Sequence, residues 1–343
     1  MLATMKALRR RVRVDAPKLE NLVQIPAVWD RMRRVEARLA EVSTSDYRFL
    51  TDIAQHLLLA GGKRFRPLLA QLAGEFGQPA DDRIVDAGVA VELIHVGSLY
   101  HDDVIDEAGT RRGTDSANTN WGNTVAILAG DFLMARATEL AADTLGSDAV
   151  RLLSRTYAEL VEGQTLELQL DFDLNHGPDE YYRVVEMKTA SLIRASARVG
   201  AMAANATPAT IEALSAWAWE LGVIFQITDD ALDLVATDEF LGKPAGSDIG
   251  EGKFTLPLLY ALSGTDGPRI RETLAERPYS AESIDEVIRM IRVGGFVDQV
   301  LEEARTRSVT AASTIAELPP IPSRDVLSAL GDYLLAQVEQ ARA

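Results

Sequence analysis

The sequence contains no cysteine among its 343 residues. Disulfides and thiolate metal sites are therefore excluded, which fits a reducing cytoplasm, where we expect the protein to act. Positive charge is also scarce, since 51 acidic residues outweigh 35 basic ones and give a formal net charge of −16. Nucleic-acid binding depends on basic patches, so we expect no nucleic-acid partner.

Long apolar runs are absent as well. None approaches the roughly 20 residues that span a bilayer, so we expect no transmembrane segment. Residues 1–14 carry five basic side chains but lack the apolar core of a secretory signal. We interpret residues 1–16 as a basic N-terminal tail and residues 17–343 as one domain. Peripheral contact of this tail with an anionic membrane surface stays an open alternative.

Alternating strand patterns are scarce, whereas apolar residues recur at spacings of three and four almost throughout. Leu68, Leu69 and Leu72 form one such stripe. Glycine and proline separate these segments, and no linker divides the chain. The pattern predicts an all-α protein that forms a single large helical bundle, with a functional site between facing helices.

Two aspartate clusters with the same spacing lie far apart in the chain. They are Asp102, Asp103 and Asp106, and Asp229, Asp230 and Asp233. On a helix the first and third members of each cluster share one face, where like charges repel each other. Mg²⁺ reverses that repulsion, because it binds a few carboxylates together with substrate phosphates. One cluster alone is commonly a solvated helix face, but two facing clusters predict a cage for a Mg²⁺–diphosphate substrate.

Basic residues follow glycine-rich segments near these clusters. Lys63, Arg64 and Arg66 follow Gly61-Gly62 at the start of a predicted helix. The helix dipole already favours anions there, so three cations indicate an anion site rather than a folding device. Further basic residues follow the two clusters, namely Arg111 and Arg112 after the first, and Lys243 and Lys253 after the second.

These motifs together resemble the trans-type polyprenyl diphosphate synthases, which elongate allylic diphosphates with isopentenyl diphosphate. The resemblance covers roughly residues 50–260. The matching segments are Gly61 to Pro67, His95 to Arg112, Met187 to Leu192, Phe225 to Asp233, Gly242-Lys243 and Glu251 to Lys253. The resemblance implies an isoprenoid-synthase bundle with a central cavity, Mg²⁺ as cofactor and a homodimer.

The resemblance also implies a role for each matching residue. All six aspartates would bind Mg²⁺. The allylic diphosphate would be held by Arg111, Lys188, Thr189, Gln226, Lys243 and Lys253, of which Lys188, Gln226 and Lys243 are the implied catalytic residues. Isopentenyl diphosphate would be held by Lys63, Arg66, His95 and Arg112.

Product length is predicted from the helix that carries the first cluster. Short-chain members of the family place an aromatic residue at the fourth or fifth position before the first aspartate. This chain has Gly97 and Ser98 there, and both are small. The tunnel should therefore stay open and the product should be long, with a deeper residue such as Phe132 or Leu133 as its floor.

Three alternatives stay open from the sequence. A short-chain farnesyl or geranylgeranyl diphosphate synthase would use the same motifs with an earlier floor. A terpene cyclase would not need the segment from Gly61 to Pro67, and its second metal motif is usually of a mixed type. A non-catalytic subunit of a heteromeric synthase tends to lose aspartates, whereas this chain keeps all six. The preferred primer and the downstream pathway are not determined.

Overall fold

A computed structural model describes residues 18–237 and 245–342 of the chain. The predicted tail, residues 1–16, and Lys243 lie outside the described residues. The first helices are α1 (Leu19–Leu22), α2 (Pro26–Val42), α3 (Arg48–Leu59), α4 (Phe65–Gly74) and α5 (Arg83–Ile105). A two-residue antiparallel pair, β1 (Thr110–Arg111) and β2 (Thr114–Asp115), follows α5.

The remaining elements continue the helical pattern. They are α6 (Ala117–Trp121), α7 (Asn123–Leu140), a π-helical turn (Ala141–Leu145), α8 (Ser147–Leu170), α9 (Pro178–Val185), a second π-helical turn (Glu186–Ala190), α10 (Ser191–Ala203), α11 (Pro208–Val235), α12 (Ser247–Gly250), α13 (Leu256–Ser263), α14 (Gly267–Thr273), α15 (Ala281–Val293), α16 (Phe296–Thr314) and α17 (Pro322–Arg342). The all-α prediction is confirmed.

Helices α5 and α11 are central because both are apolar around most of their circumference, so each is buried between other helices. Thr207 caps α11, since its hydroxyl accepts a hydrogen bond from the Thr210 N–H at 3.2 Å. Pro208 occupies the first turn, where a missing N–H costs nothing. Helix α5 ends at Asp106, whose N–H donates to the Asp102 carbonyl.

The hydrophobic core has two parts, and the site lies where they meet. One part surrounds α11, α16 and α17, with Trp217 fully buried in it. The other surrounds α5, α7 and α10, with Tyr100 at its centre.

Glycines bring three elements close together beside the site. A Cβ on Gly222 of α11 would lie 2.4 Å from the Ala190 Cα. A Cβ on Gly163 of α8 would lie 2.8 Å from the Met187 Cβ. The second π-helical turn is thus held tightly between α8 and α11, and π-helical turns are frequent at functional sites.

Within residues 18–237 and 245–342, no helix is both long enough and apolar enough to cross a membrane.

Candidate active site

The first aspartate cluster lies at the C-terminal end of α5. Asp103 is fully buried, and its Oδ1 accepts a hydrogen bond from Arg111 Nε at 2.6 Å. Asp106 caps the helix, and its Oδ1 lies 2.9 Å from Lys253 Nζ. Burial raises the pKa of Asp102, with Lys188 opposing that effect and Asp106 adding to it.

The second cluster lies near the C-terminal end of α11, and its Asp230 accepts hydrogen bonds from neutral side chains. Asp230 is buried and accepts from Tyr181 Oη at 2.5 Å and from Gln226 Nε2 at 2.8 Å. Asp233 is also buried and accepts from Ser247 Oγ at 3.0 Å. Asp229 is exposed. Burial, followed by the nearby charge of Asp248, raises the pKa of Asp230 well above its usual range.

Both clusters lie near the C-terminal ends of their helices, where negative charge is least favourable. The backbone carbonyls at a helix C-terminus lack intrahelical partners, and the dipole there is negative. Carboxylates that also repel one another add to that cost. This arrangement does not help the fold, so we interpret both helix ends as built to receive positive charge.

A cavity of about 210 Å³ opens beside the second cluster. Its polar lining comes from α8, α9, α11 and the segment after α11. These polar groups are Glu167, Asp171, His176, Tyr181, Lys188, Thr189, Gln226, Asp229, Asp230, Asp248, Lys253 and Thr255. Carboxylates and cations share one small space, as binding of a metal-chelated anion requires.

A larger cavity of about 510 Å³ opens beside the first cluster. Its polar and charged lining residues include Arg66, His95, His101, Asp102, Asp131, Tyr157, Gln164, Thr165 and Lys188. Apolar side chains dominate elsewhere, namely Leu99, Val104, Ile105, Ile127, Leu160, Val161, Leu168 and Leu192. The cavity therefore combines charged groups with a mostly apolar lining.

The second π-helical turn separates the cavities, and its Lys188 and Thr189 line both of them. Thr189 Oγ1 donates to Gln226 Oε1 at 2.8 Å, and Gln226 passes the chain of hydrogen bonds on to Asp230. Lys188 Nζ pairs with Glu167 Oε2 at 2.5 Å. A molecule with a polar head beside Lys188 could therefore contact both cavities.

Three of the predicted allylic-diphosphate ligands are paired with carboxylates in the structure. Arg111 pairs with Asp103, Lys188 with Glu167, and Lys253 with Asp106. Each pair joins a cation expected to bind phosphate to an acidic residue that lines or borders the site. Each pair is neutral overall. A metal–diphosphate unit could replace the pairing, because the metal would bind the carboxylate and the diphosphate would bind the cation.

The structure brings together three of the four predicted isopentenyl diphosphate ligands. Arg66 and His95 line the large cavity, and Arg112 lies close enough to both to lower their pKa values. Burial is the main cause of the lowered His95 pKa, so the ring is neutral near pH 7. Lys63 is exposed and lines a different cavity of about 890 Å³.

Arg64 differs from the anion-binding role that its position at a helix start suggested. Its side chain is only 7% exposed. It binds Glu36 at 2.6 Å, Glu92 at 2.8 Å and the Leu58 carbonyl at 2.6 Å. Its cationic groups are thus used inside the protein, where they join α2, α4 and α5.

The structure places Gly97 and Ser98, the two predicted chain-length residues, on different faces of α5. Ser98 lines the large cavity. Gly97 instead faces α7, where an added Cβ would lie 2.9 Å from the Met134 Cε and 3.2 Å from the Gly130 carbonyl oxygen. Leu133 and Phe132, the predicted floor residues, pack in the core around α5 and are not among the side chains that line this cavity. One residue is 100° of helix rotation, which is enough to separate the two faces.

Four site residues were not predicted from the sequence. Glu167, Asp171, Tyr181 and Asp248 all line the small cavity. Asp171 caps the C-terminal end of α8, and its Oδ1 is buried without a hydrogen-bond partner. No local signal in the sequence marks these residues.

The donor set fits a hard divalent cation. Six carboxylates supply oxygen ligands, and the Asp103 Oδ2 is buried without a partner. In the part of the chain that the structure describes, no three acidic or histidine side chains are already gathered as a metal site. The carboxylates are therefore held by protein partners, from which a cation would have to draw them.

The sequence pattern of the family described as polyprenyl synthetase matches residues 47–291. Nonaprenyl diphosphate synthase of Mycobacterium tuberculosis is 40% identical over 323 residues, which cover 93% of this chain and 96% of that one. The fold and the site define an enzyme of diphosphate chemistry, and these matches identify it further: the chain belongs to the polyprenyl synthetase family. It is a polyprenyl diphosphate synthase, hence a prenyltransferase.

Two solved structures are similar over nearly the whole chain. A polyprenyl synthase from Caulobacter crescentus, complexed with calcium and isoprenyl diphosphate, is 34% identical with a TM-score of 0.86, covering 93% of this chain and 97% of that one. Geranylgeranyl pyrophosphate synthase from Corynebacterium glutamicum, also with calcium and isoprenyl diphosphate, is 38% identical with a TM-score of 0.80, covering 91% and 96%.

Proposed function

We propose that this enzyme condenses an allylic diphosphate repeatedly with isopentenyl diphosphate, with Mg²⁺ as the metal, to give a long all-trans polyprenyl diphosphate. One observation carries the proposal: a carboxylate-rich cavity and a larger apolar cavity meet at Lys188 and Thr189. The first has the chemistry of a metal–diphosphate site and the second that of a prenyl chain.

In this proposal the two aspartate clusters hold the metal, which when bound neutralises charge on the departing diphosphate. Arg111, Lys188 and Lys253 bind the same diphosphate, and their carboxylate partners turn to the metal. Thr189 and Gln226 fix the orientation of Asp230 through the chain of hydrogen bonds described above. Lys243 would join this group, as the family resemblance implies.

The bonding changes constrain what the protein must do. The allylic C–O bond breaks, the double bond of isopentenyl diphosphate forms the new C–C bond, and a proton leaves that second substrate. Cationic groups preorganised at the departing diphosphate stabilise the charge that develops there. The apolar wall around Leu160 and Leu192 excludes water, which would otherwise capture the carbocation. We propose that the departing diphosphate accepts the proton.

A long product is supported by the large cavity's apolar wall, which continues to the surface of the subunit. Ile105, Ile127, Val161 and Leu168 line the cavity and are 41–49% exposed. Leu128, beside them on α7, is 56% exposed. A growing tail therefore has an apolar surface to lie against as it extends away from the diphosphate. The similarity to a geranylgeranyl synthase supports a short product as the second candidate.

The same exposed apolar side chains support the proposed homodimer, because a patch of this kind commonly marks a protein interface. Light scattering on the purified protein tests it, and Leu128→Glu should give monomers. A monomeric wild type would contradict the proposal. A cytoplasmic location stays a prediction from composition, which fractionation of cells would test.

The direct test of the function is incubation with labelled isopentenyl diphosphate, Mg²⁺ and geranyl, farnesyl or geranylgeranyl diphosphate, with products sized by chromatography. We expect products longer than geranylgeranyl diphosphate from at least one primer. A product that stops at geranylgeranyl diphosphate would select the second candidate. A cyclised hydrocarbon, or no product without a second protein, would reject the proposal.

A further inference from the structure

Glu92 lies at the centre of the arginine group beside the large cavity. It belongs to α5, three residues before His95, and its side chain is only 1% exposed. Its Oε1 lies 2.8 Å from an Arg64 nitrogen and 3.5 Å from an Arg112 nitrogen. A carboxylate this deeply buried needs cationic partners, and it has them on two sides.

Arg66 approaches the same carboxylate but is not hydrogen-bonded to it. The Arg66 Nε is buried without a partner, and so is the Glu92 Oε2. The pKa of Arg66 is lowered to about 10, mainly by burial; Glu92 opposes this shift and Arg112 contributes to it. The two unpartnered atoms therefore belong to groups of opposite charge that already attract each other.

The charges of this group do not balance. Two carboxylates, those of Glu36 and Glu92, lie near three guanidinium groups, those of Arg64, Arg66 and Arg112. The group therefore carries one excess positive charge. Two guanidinium groups repel each other unless an anion lies between them or beside them. Glu92 supplies that anion, so Arg66, which lines the large cavity, remains available there for a second anion.

Arg112 is fixed from two further directions. One of its terminal nitrogens donates to the Leu57 carbonyl at 2.9 Å. Its guanidinium packs on Gly62, where an added Cβ would lie 3.1 Å from the Arg112 Cζ. The Leu57 carbonyl and Gly62 restrict the orientation of the Arg112 guanidinium plane. Glu92 orients the other terminal nitrogen of that guanidinium.

We propose that Glu92 is a positioning residue, which holds Arg66 and Arg112 against their mutual repulsion so that both face the diphosphate of the second substrate. The inference rests on the proposed function, because the ligand it serves is isopentenyl diphosphate. Glu92 itself contacts no substrate, and it acts through the two arginines.

The experiment compares Glu92→Gln with Glu36→Gln, since both carboxylates bind Arg64 but only Glu92 contacts Arg112. Glutamine keeps the shape of Glu92, yet its amide nitrogen offers no acceptor to a guanidinium. We expect the KM for isopentenyl diphosphate to rise about tenfold in Glu92→Gln, as expected for a lost charged hydrogen bond. The KM for the allylic primer should change less than about twofold, and Glu36→Gln should leave both near wild type.

A double-mutant cycle separates positioning from a structural role. If Glu92 acts through Arg112, adding Glu92→Gln to Arg112→Ala should raise the KM for isopentenyl diphosphate by less than about threefold more. Independent, multiplying effects would overturn the proposal. So would a lower KM in Glu92→Gln, because it would make Glu92 only a counter-charge that competes with substrate. Equal weakening of both substrates would assign Glu92 to the fold.

These outcomes are distinct from failure of the proposed function. If wild-type enzyme makes no prenyl product, the proposed function fails before Glu92 is tested. If wild type elongates normally and Glu92→Gln shows the same KM for isopentenyl diphosphate, only the inference about Glu92 fails.

Discussion

The two sides of the active site carry the same aspartate pattern in opposite environments. On the α5 side, Asp103 and Asp106 are paired with the cations Arg111 and Lys253. On the α11 side, the buried Asp230 is held by the neutral donors Tyr181 and Gln226. A cation compensates a carboxylate's charge, whereas a neutral donor fixes its position and leaves the charge to be compensated by something else.

The cavities divide in the same way. Of the two site cavities, as lined by the described residues, the large one takes lining from α5 and not α11, and the small one takes lining from α11 and not α5. The α5 side therefore combines charge compensation with the wall along which a chain grows. On the α11 side, the buried carboxylate of Asp230 is held in place by hydrogen bonds. Identical motifs thus do different work because their neighbours differ, and substitutions on the two sides should separate these roles.

The largest effect should come from removing one cavity-lining carboxylate on each side. Asp102→Asn and Asp229→Asn each keep the side chain's shape, and each should lower turnover by about 10³-fold or more, because both clusters act on the departing diphosphate. Steady-state rates at saturating substrates provide the measurement, with circular dichroism to show an intact fold. Near-normal turnover in either variant would show that only one side of the site is needed.

How much of this site the sequence could reveal follows from the kind of signal each residue leaves. The aspartate clusters and the basic segments are local patterns, so residues such as Asp102 and Arg66 were predicted directly, whereas Lys188 was implied by the family resemblance alone. Glu167 and Asp248 were missed because only the packing of α8 and the segment after α11 brings them to the cavity. No spacing in the chain records that packing.

The helical fold was predictable from periodicity alone, but helix rotation was not. Gly97 and Ser98 differ by one residue on an almost wholly apolar helix, so no polar stripe marks which face meets the cavity. Arg64 was misread for a related reason. The orientation of its side chain depends on Glu36 and Glu92, which belong to two other helices.

The second prediction uses this rotation to test the role of the α5 side in chain growth. Ser98→Phe should fold and make a shorter product, because the ring enters the large cavity. Gly97→Phe should lower stability by about 1–3 kcal/mol or more, because the ring must enter the contact between α5 and α7. Chromatography of products and thermal melts measure the two effects.

The Gly97 and Ser98 variants each have an outcome that would contradict this assignment. Shortened products from a stable Gly97→Phe variant would mean that Gly97 faces the tunnel after all. Unchanged long products from a folded Ser98→Phe variant would mean that the chain grows elsewhere, and the division between the α5 and α11 sides would fail.

The smallest expected effect distinguishes cation pairing from neutral hydrogen bonding. Burial raises the pKa of Asp230 well above the ordinary value of 3.8. Below both the unfolded and the folded pKa the carboxyl group is protonated in either state. Above the unfolded pKa the folded state keeps the proton that the unfolded state loses, so the free energy of unfolding falls as pH rises. At pH 8 this cost is largest.

Asp230→Asn removes that cost and can keep hydrogen bonds to both Tyr181 and Gln226, since an amide both donates and accepts. In metal-free buffer with EDTA, its Tm should exceed that of wild type by about 2 °C or more at pH 8, and by less at pH 5. Asp103→Asn should gain less, because it also releases Arg111 from its partner. Asp148→Asn, at a position with a 77% exposed side chain, is the control. Equal gains for the Asp230 and Asp103 variants would show that the two sides tolerate their carboxylates in the same way, and the contrast between cation and neutral donor would have no energetic content.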